Sequence, residues 1–206
     1  MGKTHKGNPM PGSRKTPEDI LFAEFEYIAS TANQANEDRA RIASFYLIAV
    51  GSLVAALFST QFFGPEAARP GISLLFSGLF ITLTLLGTST VLQLARLRAA
   101  WYESALAMNQ IKDHAITLDK KLAQAFRWRT ASLPPLYKVD SISFLQTVEV
   151  ALLSGLTFGA SAYFLQVGLG YTRCIWAFTP ALGALAILTQ LAIYKRILSR
   201  EQSKRK

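Results

Sequence analysis

IASFYLIAVGSLVAALFSTQFF, residues 42–63, holds no charged side chain and no proline in 22 positions. As an α-helix rising 1.5 Å per residue it is about 33 Å long, enough to cross the hydrocarbon core of a bilayer. Three more segments read the same way. ISLLFSGLFITLTLLGTSTVLQL (72–94) is uncharged, segment 144–167 carries one acid, Glu149, and segment 174–194 carries no charge. A soluble domain has no use for four such stretches in one short chain, because they would leave a large apolar surface in water. The expected class is an all-α membrane protein with four transmembrane helices in two hairpins, 42–94 and 144–194.

The charges gather outside these spans. Of 206 residues half are hydrophobic and only 17% charged, against about 25% in an ordinary soluble protein. Among the 22 Lys and Arg, six precede the first span, eight lie between the second and third, and six follow the fourth. The connectors 64–71 and 168–173 hold one base each, Arg69 and Arg173. Under the positive-inside rule this split puts both termini and the long central segment in the cytosol of a plasma or inner membrane. Tyr46 and Tyr194 then fall near the inner interface, and Phe62, Phe63, Tyr171 and Trp176 near the outer one. The net charge of +9 follows the spans, so the bilayer and its anionic headgroups are the expected partners rather than nucleic acid.

Chemistry-bearing motifs are missing. Cys174 is the only cysteine, and His5 and His114 are far apart, so neither a disulfide nor a Cys/His metal site is expected. No HExxH, Walker A loop, Rossmann glycine pattern or Ser/His/Asp set occurs, and no cofactor and no enzymatic activity are expected. Met1–Lys15 is polar and basic without an apolar core, unlike a cleavable signal peptide. Lys6 stands where myristoylation of Gly2 favours Ser or Thr.

Outside the spans the chain divides into a disordered basic tail (1–15), a cytosolic amphipathic helix (16–41), a cytosolic helical segment (95–143) and a basic C-terminal tail (195–206). Thr16-Pro17-Glu18-Asp19 reads as a helix start, a capping hydroxyl before proline and two acids. Leu21, Phe25, Ile28, Ala32 and Ala35 recur at spacings of three and four. Past the second span Leu97, Trp101, Ala105, Met108, Ile111, Ala115, Leu118, Leu122 and Ala125 keep the same rhythm. These are coiled-coil-like extensions of the first two spans. A helix from Ala95 to Arg129 would project about 50 Å; a fold-back between Asn109 and Thr117 is the alternative. The stripes serve either as a plain stalk or as a docking surface for a cytosolic protein. Arg127, Trp128 and Arg129 before Pro134-Pro135, with Lys195 and Arg196 after the fourth span, suit anchoring at the membrane interface.

Inside the spans Glu149 is the one ionisable group. It either reaches the inner headgroups or faces the bundle interior as an ion or pore site. Gln93 and Gln190 lie at a similar depth to Glu149, which suggests one buried network or a vestibule, and Gln146 enters the third span beside Glu149. Thr82, Thr84, Thr88, Ser89 and Thr90 on the second span read as interhelical glue. Gly155 and Gly159 form a GxxxG pair, and Ala177/Ala181 and Thr179/Gly183 form small-xxx-small pairs. Such faces serve self-association or the packing of the last two spans, and Pro180 is expected to kink the fourth. The layout points to a non-enzymatic, self-associating membrane effector or scaffold that forms or gates a pore under a cytosolic partner. A small ion channel or transporter with Glu149 at its site is the alternative.

Overall fold

The computed structural model describes residues 16–59, 70–171 and 174–204. The tail 1–15, the aromatics Phe62 and Phe63 and the connector bases Arg69 and Arg173 lie outside the described residues. Those described fold as helices without strands: α1 (Pro17–Ser59), α2 (Pro70–Leu118), a single turn α3 (Leu122–Ala125), a 3-10 turn (Thr130–Ser132), α4 (Ile142–Gly168) and α5 (Ile175–Ser203). The four long helices each contain a stretch long and apolar enough to cross a membrane.

Local chemistry sets their ends. Thr16 Oγ1 accepts the Asp19 amide while Asp19 Oδ2 accepts from the Thr16 amide and hydroxyl, a reciprocal cap of the kind worth about 1 kcal/mol. Ser141 caps α4 by accepting the Phe144 amide. The other end of α4 closes on Gly170, whose φ of 75° is open to glycine without a Cβ penalty. There Tyr171 N donates to Gln166 O and Gly170 N to Val167 O, the double bond pattern that satisfies orphan carbonyls at a helix end.

α2 and α4 form the central pair, with α1 laid mainly on α2 and α5 mainly on α4. The buried positions of α4 include Ser143, Thr147, Val150, Ser154, Thr157 and Ser161; those of α2 include Ser73, Ser77, Phe80, Thr84, Gly87, Val91, Leu94 and Arg98. Both sets alternate spacings of three and four, which keeps one face of each helix on its neighbour. The helices run antiparallel, as Ser77 meets Ser161 and Thr84 meets Thr157. Phe76 and Phe80 pack their rings on Phe164 at the far end. Small side chains along most of this seam let the backbones come close.

α1 and α2 lie together both inside the bundle and beyond it. Tyr46 reaches Gly87, and farther out Lys112 Nζ sits 5.7 Å from the centre of the Phe25 ring. Ala32 and Ala35 are buried, and Leu21, Phe25 and Ile28 half-buried, along this extension. Along α2 the stripe drifts: Ser104, Ala105, Asn109 and Ile116 are buried, whereas Leu118 is exposed.

α2 ends at Leu118, beyond the expected fold-back and short of Arg129. No glycine or proline stops it. Asp113 holds the returning chain instead, accepting from Arg129 Nε at 2.9 Å and from the Thr130 amide at 3.2 Å. Hydrogen bonds from Thr130 and then Arg129 keep the Asp113 carboxyl below the usual carboxylate range. Pro134-Pro135 then lead back to Leu136, which is buried in one cluster with Leu94, Tyr194 and Leu198. At the C-terminus the expected tail continues as helix: α5 runs on to Ser203, with Leu198 buried and Lys204 paired to Glu201.

Candidate functional site

The polar side chains inside the bundle converge on Gln190. Its Nε2 donates to Ser154 Oγ at 2.7 Å and to Thr88 Oγ1 at 3.0 Å, joining α5 to α4 and α2. Ser154 Oγ donates to Thr84 O, and the Thr84 and Thr157 hydroxyls lie 3.0 Å apart. α1 adds Tyr46, whose hydroxyl comes so near Gly87 that a Cβ there would sit 2.6 Å from it and 2.7 Å from Ser154 Oγ. Glycine at 87 is what lets three helices meet at this level. Among the described residues Gln190 Oε1 is buried without a hydrogen-bond partner. Farther toward the start of α2, Ser77 and Ser161 donate to each other's carbonyls at 3.0 Å.

All the groups in this cluster are neutral hydroxyls and amides. In an apolar setting such bonds hold helices in register, at about 0.6 kcal/mol each. The second-span hydroxyls expected as glue divide by face. Thr84 and Thr88 take part, while exposed Thr82 bonds to the carbonyl of Gly78 and buried Thr90 to that of Leu86, bonds within the helix that join no second one.

The expected grouping by depth is therefore corrected. Gln190 is buried, but Gln93 is exposed and bonds only to Ser89. Gln146 is half-buried and accepts from Arg39 Nε at 3.0 Å, near the start of α4. Glu149 is exposed on the outer side of α4. It makes no hydrogen bond or ion pair among the described residues. On the same face lie Ile142, Leu145, Leu152 and Leu156, all exposed. Equal depth does not bring these residues together, because each helix turns them to a different side.

The small residues pack within the chain. A Cβ on Gly155 would fall 2.7 Å from Gly183 O, one on Gly183 2.9 Å from Gly155 O, and one on Gly159 3.3 Å from Thr179 O. Gly155, Gly159 and Gly183 thus form the close contact between α4 and α5. Ala181 does not share it and is exposed, since it lies on the other side of α5 from Gly183. Pro180 sits inside α5. Beside this contact runs an open apolar groove of about 820 Å³, lined by Leu156, Tyr163, Phe164, Trp176, Pro180 and Ile187.

The basic residues expected at the interface fall in two places. Lys195 and Arg196 are exposed just after Tyr194, with Lys195 Nζ 5.9 Å from the centre of the Tyr137 ring. Arg129 is bound to Asp113, roughly 28 Å of helix past Leu94. Arg127 and Trp128, both exposed, accompany it to the far end of the α2 extension. The return loop climbs α2 before the two prolines bring it back, which takes this trio away from the end of the apolar stretch. Among the described residues no group of three His, Cys, Asp or Glu gathers as a metal site. Comparison with family models, with curated proteins and with solved structures finds no match.

Proposed function

We propose that this chain is a non-enzymatic, multi-pass integral membrane protein that self-associates through the outer face of α4 and acts as a scaffold or effector in the bilayer. In this reading both hairpins cross the membrane, and the termini and segment 95–143 lie in the cytosol. The paired extensions of α1 and α2 offer the surface on which a cytosolic partner acts.

The outward position of Glu149 carries the proposal. A lone carboxylate costs about 2.5–3.5 kcal/mol at the centre of a span and less toward its edge. Glu149 lies seven positions into α4, about 10 Å along the helix, and the described residues supply no base or donor to it. Its neighbours Leu145, Leu152 and Leu156 repeat at the spacing of an interhelical seam. A second copy brought against this stripe buries the leucines and lets two carboxyl groups share a proton. The GxxxG face is already used within the chain and does not compete for this role.

Cysteine crosslinking tests the reading. In a Cys174→Ser background, Leu145→Cys and Leu152→Cys are expected to give disulfide-linked dimers in native membranes, and Thr82→Cys is not. A strict monomer by native mass spectrometry from lipid nanodiscs, with no crosslink at either site, would sink the proposal. A pore is a second reading favoured by the same residue, since several copies meeting on this face would set Glu149 around an axis. Its check is ion flux in liposomes for wild type and Glu149→Gln; no conductance from either removes it.

A further inference from the structure

Two arginines from different helices come together at the level where α4 begins. Arg98 on α2 is only 7% exposed. Its Nε donates to Leu136 O at 3.3 Å, and its guanidinium carbon lies 4.5 Å from the centre of the Trp101 ring. Arg39 on α1 is half-buried and held by its Nε to Gln146 on α4. Each arginine is therefore fixed by its inner nitrogen and by packing, while the paired outer nitrogens make no bond within the described chain. Buried Tyr194, bonded to Ser143 at 3.1 Å, stands between α4 and α5 at the same level. Exposed Lys195 follows it.

Among the described residues no carboxylate pairs with either charge. The ion pairs of Arg41 with Asp38, Arg129 with Asp113 and Lys204 with Glu201 include neither Arg39 nor Arg98. The two arginines feel each other: burial first, and among the charges Arg39, push the Arg98 guanidinium below its ordinary value, with Tyr194 and Tyr102 acting in the opposite sense. Burial likewise lowers Arg39, and Tyr194 opposes it. Two desolvated cations without a counter-ion are expensive, and the cost falls when an anion binds between them. Guanidinium groups match phosphate oxygens in pairs, which is why arginine fits such an anion better than lysine does.

We propose that Arg39 and Arg98 form a binding site for the phosphate group of an anionic lipid at the cytosolic boundary of the bundle. The choice of a lipid rests on the membrane reading above. Where the apolar stretches of α2 and α5 end, at Leu94 and Tyr194, the inner headgroup layer would lie, and anionic lipid is concentrated there. The phosphate would tie α1 to α2 and α4 at the point where the extensions leave the bundle.

The test uses the full chain reconstituted in phosphatidylcholine nanodiscs doped with phosphatidylglycerol, with retained lipid counted by native mass spectrometry. Wild type is expected to retain phosphatidylglycerol about tenfold over phosphatidylcholine, a difference of about 1.4 kcal/mol. Arg39→Gln should abolish most of that preference, and Arg39→Lys should restore part of it. Arg200→Gln, which removes a base elsewhere on α5, should leave it intact. Arg98→Lys keeps the charge and guards against misfolding of a neutral variant, and it too should weaken retention. Equal retention by Arg39→Gln and wild type overturns the site, as does an equal loss in Arg200→Gln, which would mark bulk charge. Displacement of the lipid by millimolar inorganic phosphate overturns the lipid assignment in favour of a soluble anion. Failure of the wild type to enter phosphatidylcholine discs at all would refute the membrane reading, whereas entry without lipid preference refutes this site alone.

Discussion

The two faces of α4 obey opposite rules. The side turned to its neighbours carries Ser143, Thr147, Ser154, Thr157 and Ser161, buried and bonded. The side turned outward carries Ile142, Leu145, Leu152 and Leu156, with Glu149 among them. A bilayer offers helices no hydrophobic incentive to associate, so polar groups and close backbone approach hold them together. The inner face follows that logic throughout. The outer face follows it except at Glu149, where the most expensive side chain of the span is left outside. The interior is therefore satisfied within one chain, and under the proposed function a second copy completes the exterior of α4.

The largest expected effect breaks the inner rule. Gly155→Leu forces a side chain into Gly183 and Ile187 and should cost about 3 kcal/mol by overpacking, read as lost resistance to unfolding in mixed micelles. Gly51→Leu, at a position with open space around it, should cost almost nothing. The next effect sharpens the outer exception. Glu149→Leu should ease insertion of α4 by about 2 kcal/mol, below the full mid-span cost because of its depth. The monomer should resist unfolding better while the crosslinked fraction drops. Ser154→Ala follows at about 1 kcal/mol, since it strips a partner from Gln190 and from Thr84 O. Thr82→Val, which touches only its own helix, should be silent in the same assay. The smallest effect lies beyond the apolar stretch, at Asp113. Its folded carboxyl titrates below the ordinary 3.8, so its contribution is whole above that value and disappears as pH falls below 3.8 through the folded value. Trp128 fluorescence should report the release of the return loop in that range, and Asp113→Asn should remove the transition.

Much of this architecture is readable from residues 42–63 and the segments like it. Length and freedom from charge give four apolar helices without reference to any contact, and Thr16-Pro17 marks the start of α1. Facing is harder to read. In a span apolar all round, hydropathy does not separate the side toward lipid from the side toward a neighbour, so depth alone groups Gln93, Glu149 and Gln190. A signal does exist in the buried hydroxyls of α4 at 143, 147, 154, 157 and 161. Their spacings are sums of threes and fours, so they fall on one side of a helix and mark its inner face. The α2 terminus is not legible, because the Asp113 clamp joins residues distant in sequence. Nor is the helical C-terminus: basic residues after a span look like a tail unless Leu198 is known to be buried.

The unequal lengths of the helices have a mechanical consequence. α1 and α2 continue together well past the level at which α4 begins, and Leu118 lies roughly 36 Å beyond Leu94 along α2. The paired rods have the shape of a lever whose pivot is the point where they leave the bundle, near Leu94. A tilt of about 10° there would sweep the tip sideways by about 6 Å, while side chains beside the pivot would shift by less than about 1 Å. A force applied at Leu118 would be magnified in the reverse direction, so a modest push far from the bundle would bear hard on its inner edge.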